Sequence, residues 1–99
     1  MTIDTTLVKD TDTILKEPGR YNIVIYNDDV TPVEFVIVML MEIFNHSADS
    51  AFDLTNKVHN EGSAIAGTYN HEIAEQKSGE ATNLARANNF PLVNKIEAV

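Results

Sequence analysis

Tyr21-Asn22-Ile23-Val24-Ile25-Tyr26, followed by Asn27-Asp28-Asp29-Val30-Thr31-Pro32-Val33-Glu34-Phe35, is the stretch from which the rest of the fold is read. Its first six residues predict a strand over 21–26 with Ile23 and Ile25 on one face. Its last five carry a helix start: Thr31 and Glu34 stand at capping-box spacing, and Pro32 suits the first helical position. Between the two elements, Asn27, Asp28 and Asp29 set amide and carboxylate oxygens on a loop held at both ends. A loop so rich in acceptors can grip a cation.

Downstream, the helix over 32–45 has few polar faces. Val33, Phe35, Val36, Ile37, Val38, Met39, Leu40, Met41, Ile43 and Phe44 leave mainly Glu34 and Glu42 for water, which predicts a largely buried helix. Ser47 is an N-cap for a second helix over 48–60, with an Ala51, Leu54, Val58 stripe and a stop at Gly62. Asp49, Asp53 and Lys57 face outward. A strand-length segment over 63–69 leads to Asn70, which caps a third helix over 71–88 that Gly79 weakens. Over 92–98, Leu92, Asn94 and Ile96 alternate with Val93, Lys95 and Glu97, the pattern of a half-buried strand. The order βααβαβ predicts an α+β fold with three helices covering one face of a small sheet. Residues 1–19 are polar, rich in Thr and Asp, and end at Pro18-Gly19. They read as a flexible N-terminal arm before a folded domain over 20–99.

Composition narrows the function classes. Ninety-nine residues make one domain with one modest core. Fifteen acidic residues against seven basic ones give a net charge of -8, which repels nucleic-acid backbones and anionic membrane surfaces. No cysteine is present, so disulfides, thiol chemistry and cysteine-held zinc are excluded. The early acidic residues Asp4, Asp10, Asp12 and Glu17 argue against a secretory signal, and the apolar run 35–41 is too short to span a bilayer. A cytoplasmic protein is expected, and the glycosylation pattern Asn45-His46-Ser47 then has no weight.

Catalysis finds little support. His71-Glu72-Ile73-Ala74-Glu75 lacks the second histidine of the zinc-protease helix, and four dispersed glycines make no phosphate loop. The Asn27-Asp28-Asp29 oxygens suggest calcium, but Pro32 stands where a calcium loop needs its central glycine. No catalytic residue, metal or cofactor is expected. Read by itself, the loop also fits an ordinary turn and helix cap.

The Asn27 to Phe35 run, Val58-His59 and Glu72-Ile73-Ala74-Glu75-Gln76-Lys77 together resemble the ClpS family, bacterial adaptors that hand N-degron substrates to the Clp protease. The resemblance runs in order from about residue 20 to residue 97. It implies a three-stranded antiparallel sheet, and roles for particular residues. Asn27, Asp28 and His59 would hold the substrate's α-amino group, with Asp29 and Thr31 placing the first peptide unit. Val33, Val36, Thr55, Val58 and Leu92 would form the pocket for a bulky hydrophobic first side chain. Glu72 and Lys77 would dock the AAA+ unfoldase, ClpA-like, or ClpC-like in a plastid or cyanobacterium, and the arm would help pass the substrate on.

The chemistry agrees with those roles. An ammonium group has up to three donors in tetrahedral array and needs acceptors from several directions. An Asn amide, an Asp carboxylate, direct or through water, and a neutral imidazole can supply them. Two positions depart from the family, Val33 and Thr55, where methionines commonly stand. Both are shorter and stiffer than methionine, so the expected preference for Phe, Tyr, Trp or Leu is open to revision. Two rival readings remain: a general protein-interaction domain similar to the C-terminal domain of the ribosomal stalk, and a variant that occupies the unfoldase and blocks delivery. Dependence on a free α-amine separates the first from an N-degron adaptor.

Overall fold

Ile23 and Ile25 are almost fully buried, and the strand that carries them is the centre of the sheet. The computed structural model describes residues 19–99; the arm expected over 1–19 lies, but for Gly19, outside them. In chain order the elements are β1 (Arg20–Tyr26), α1 (Val33–Glu42), α2 (Ala48–Glu61), β2 (Ser63–Asn70), α3 (His71–Ala87) and β3 (Val93–Ala98). The strand order is β2-β1-β3, and β1 pairs antiparallel with both neighbours. This is the expected βααβαβ, α+β architecture. Ile23 faces Ile96 and Ile25 faces Asn94 across the β1–β3 pair, which sets the helix-covered face. On that face α2 and α3 lie against the strands, while α1 packs against α2 and reaches the core with Val36, Met39 and Leu40.

Small side chains bring α3 close to the sheet. Ala74, Ala81 and Ala85 are buried at helical spacing, so the backbone approaches without a bulky layer between. Asn94 is the polar exception on the inward face of β3. Its amide oxygen accepts from the Ser78 hydroxyl at 2.5 Å, and its nitrogen donates to Thr82 Oγ1 at 3.0 Å. Both ends of the amide are therefore satisfied, and the pair of bonds fixes how α3 sits along β3.

The start of α1 differs from the sequence expectation. Pro32 is the N-cap and no side chain caps the helix. The Phe35 and Val36 N–H groups donate to Pro32 O, and the Thr31 hydroxyl turns to Asp28 at 2.9 Å. With Pro32 at the N-cap, Thr31 stands one residue before the capping position and Glu34 falls at the second helical residue, so the capping box does not form. The helix is also less buried than its composition suggests: Val33 is 47% exposed, Val38 45% and Met41 38%. It packs against α2 along one side and turns the other to solvent. It stops at Glu42, and the chain then turns back through the left-handed Asn45 (φ 60), with His46 N–H donating to Leu40 O. In α2 the buried stripe is Ala51, Thr55, Val58, with Leu54 only half-buried.

Ser47 and Asn70 cap α2 and α3 as expected, accepting from the Ser50 and Ile73 amides. The end of α2 is the joint that matters for the site. Gly62 is left-handed (φ 95) and donates to Val58 O at 2.9 Å, closing the helix. Its own carbonyl accepts from Asn27 N–H at 2.9 Å, one step past the Tyr26–Ser63 pair of the sheet. A Cβ at Gly62 would meet nothing within 4 Å, so a substitution there is penalised by backbone strain alone. Gly62→Ala is expected to lower stability by about 1–2 kcal/mol in a urea unfolding titration. An unchanged midpoint would mean that the left-handed turn is not what ends α2.

Candidate functional site

A cavity of about 250 Å³ opens between the loop after β1, the first turn of α1 and the last two turns of α2. Its polar lining is Asn27, Asp28, Asp29, Thr31 and His59; its apolar lining is Val33, Val36 and Val58, with Thr55 among them. The two sets differ in depth. Asn27, Asp29 and His59 are exposed at the rim, whereas Val36, Thr55 and Val58 are buried.

Local chain geometry builds the rim. The Asn27–Gly62 hydrogen bond ties the loop to the end of α2, and His59 stands on that last helical turn. Loop and imidazole are thereby brought to one cavity although His59 comes 32 positions after Asn27 in the chain. Asp28 shapes the loop from within. Its Oδ1 accepts from the Val30 amide at 2.8 Å and the Thr31 amide at 2.7 Å, and its Oδ2 accepts from the Thr31 hydroxyl at 2.9 Å. A carboxylate offers roughly four lone-pair sites, so Asp28 keeps acceptor capacity on Oδ2 alone.

Partial burial pushes the Asp28 carboxyl up, but the Thr31 amide, the Val30 amide and the Thr31 hydroxyl together outweigh it and hold the group below its usual range. The carboxylate is accordingly ionised at neutral pH. With Asp29 beside it and the negative end of the α2 dipole at His59, the rim favours a cation. Among the described residues no group of three or more His, Asp or Glu side chains comes together to hold a metal ion, and no helix is long and apolar enough to cross a membrane.

Of the residues singled out in the sequence, Leu92 alone among those assigned to the pocket does not line the cavity. It is 3% exposed and belongs to the core, because it turns inward just before β3. Glu72 is exposed in the first turn of α3. Lys77 is not a free surface charge: its Nζ donates to Ile43 O at 2.8 Å and lies 5.4 Å from the centre of the Tyr69 ring. It pins α3 to the turn after α1. A further hollow of about 260 Å³ lies across Asn27 and Asp28, lined also by Tyr26, Val93 and Lys95. Those three read in the sequence only as alternating strand residues, so nothing marked the hollow in advance.

Residues 16–95 match the family model described as ATP-dependent Clp protease adaptor protein ClpS. The chain is 44% identical over 87 residues to the ATP-dependent Clp protease adapter protein ClpS of Vibrio atlanticus, covering 88% of this chain and 82% of that one. It is 43% identical over 83 residues to the same adapter of Treponema denticola, with 84% and 82% covered. Among solved structures it is similar to Agrobacterium tumefaciens ClpS2 bound to L-phenylalaninamide, with a TM-score of 0.81 and 37% identity, covering 84% of this chain and 100% of that chain.

Asp28 provides a pH test of the loop. Its lowered value means that the folded state holds the carboxylate better than the unfolded chain does. The resulting stability is present above the unfolded value, about 3.9, and is lost as the pH falls through the lower folded one. The side-chain carboxyl resonance of Asp28 should titrate below that reference, and Asp28→Ala should remove this part of the acid-side loss. A midpoint at or above the reference would contradict the three-bond loop.

Proposed function

The chain belongs to the ClpS family of ATP-dependent Clp protease adaptors, and on that footing we propose that it binds the free N-terminus and bulky hydrophobic first residue of N-degron substrates and delivers them to a Clp AAA+ unfoldase. It is an adaptor rather than a catalyst, and it works in the cytoplasm. The observation that carries this reading is one cavity with acceptors and a net negative rim at its mouth and aliphatic walls at its depth. L-phenylalaninamide, the ligand of the Agrobacterium relative, has a free α-amine, an aromatic side chain and an amide in place of the next peptide bond. Each part has a counterpart in this cavity.

In this reading Asn27 and His59 accept from the ammonium directly. Asp28 contributes its remaining Oδ2 capacity, directly or through a water. Asp29 and Thr31 border the first peptide unit. Val33, Val36, Thr55 and Val58 receive the side chain, and Leu92 supports them from the core. Burying a Leu- or Phe-sized side chain contributes about 1.5–3 kcal/mol, and each hydrogen bond to a charged group about as much. Neither part alone gives tight binding, so specificity needs both a free amine and a large apolar residue. Glu72 and Lys77 form the docking face for the unfoldase, ClpA-like or ClpC-like, and residues 1–19 are the segment it engages during delivery.

A fluorescence-polarisation titration with a labelled peptide beginning in Phe tests the amine site. Acetylating the peptide, or making His59→Ala, should weaken binding at least about tenfold, the loss of one charge-assisted bond. An acetylated peptide that binds as well as the free one, or equal affinity for Ala and Phe at the first position, contradicts the reading. For docking, Glu72→Lys should weaken association with the unfoldase and leave peptide affinity unaltered. Lys77→Glu tests the same face less cleanly, since it also strands Ile43 O.

A further inference from the structure

Thr55 is the one buried polar side chain among the described residues, at 3% exposure, and it lies in the cavity wall between valines. Its hydroxyl proton has a partner: it donates to Ala51 O at 2.7 Å, back along α2. Threonine commonly makes this bond within helices, and it accounts for the proton. It does not account for the oxygen's acceptor side, toward which no donor of the described residues is directed. A buried acceptor without a donor is unfavourable, and a valine of nearly the same shape would avoid the cost.

The position of Thr55 along α2 says what kind of group could supply that donor. His59 is at the exposed rim; Thr55 is four residues earlier on the same helix, about 6 Å along the axis, and buried. A ring whose amine is held beside His59 and whose plane descends between Val33, Val36 and Val58 brings its far edge toward this depth. Resting on the adaptor reading above, we propose that Thr55 Oγ1 accepts a hydrogen bond from the first side chain of the substrate, so that the cavity favours an N-terminal tyrosine over phenylalanine. The phenol O–H donates, the Thr55 oxygen accepts, and the Thr55 hydroxyl goes on donating to Ala51 O. Such a contact discriminates where added apolar area does not, because phenylalanine leaves the acceptor unpaired.

The test uses the full chain and two labelled peptides that differ only in Tyr or Phe at the first position, titrated by fluorescence polarisation. The ratio of the two dissociation constants is read within each protein, so a general change in pocket quality cancels. The parent chain should bind the Tyr peptide roughly three- to tenfold more tightly. Thr55→Val should bring the ratio to one or below, since the phenol is then buried without an acceptor, while Thr55→Ser, which keeps the oxygen, should retain a preference for Tyr. A ratio of one in the parent, or a Tyr preference that survives in Thr55→Val, overturns the assignment while the adaptor reading stands on its acetylation result. If neither peptide binds the parent chain, both fall together.

Discussion

One backbone hydrogen bond organises the end of the molecule where the cavity lies: Asn27 N–H to Gly62 O. It extends the β1–β2 ladder by one step beyond Tyr26–Ser63 and joins the start of the loop to the end of α2. That geometry needs α2 to finish and β2 to begin with almost no connecting chain. A left-handed residue permits this, and Gly62 adopts the conformation without a Cβ penalty. His59 is then fixed beside Asn27 and Asp28 by the helix that carries it. Without this joint the loop oxygens and the imidazole would belong to separate surfaces.

A second constraint decides the loop's shape. Asp28 directs three of its acceptor sites inward to Val30 and Thr31, which leaves the carboxylate both charged and immobile. A rim held in place before a ligand arrives loses less conformational entropy on binding than one that must be ordered. Thr31, bonded to Asp28, precedes the N-cap Pro32, and α1 starts at Val33 without a side-chain cap. Its first turn is left beside the cavity, with Val33 partly exposed. Stiff β-branched side chains at Val36, Thr55 and Val58 line the depth, with Val33 nearer the opening. They do not fold over a guest as a methionine can, so the fit rests on the fixed shape of the wall.

Much of this was legible from residue order, and the failures have physical causes. The strand at 21–26, the caps at Ser47 and Asn70, the stop at Gly62 and the alternation over 92–98 each rest on local chemistry, and each is found. The Thr31–Glu34 spacing fits a capping box, but the helix starts one residue later, with Pro32 at its N-cap, and spacing alone does not fix that register. The exposure of α1 was misread because an apolar composition states how much could be buried, not how many neighbours the helix has. Leu92 and Lys77 carry tertiary contacts, to the core and to Ile43 O, that no local pattern encodes. The convergence of Asn27, Asp28 and His59 came from the resemblance to a family, since composition alone was equally satisfied by a turn.

Amide chemical-shift mapping during a titration with L-phenylalaninamide tests most directly whether this cavity is a receptor for a free amine and its side chain. The perturbed residues should be those of the loop from Asn27 to Thr31 and the end of α2 around Val58 and His59. Shifts confined to Tyr26, Val93 and Lys95, the hollow on the other side of Asn27 and Asp28, would place the ligand elsewhere and contradict the central claim.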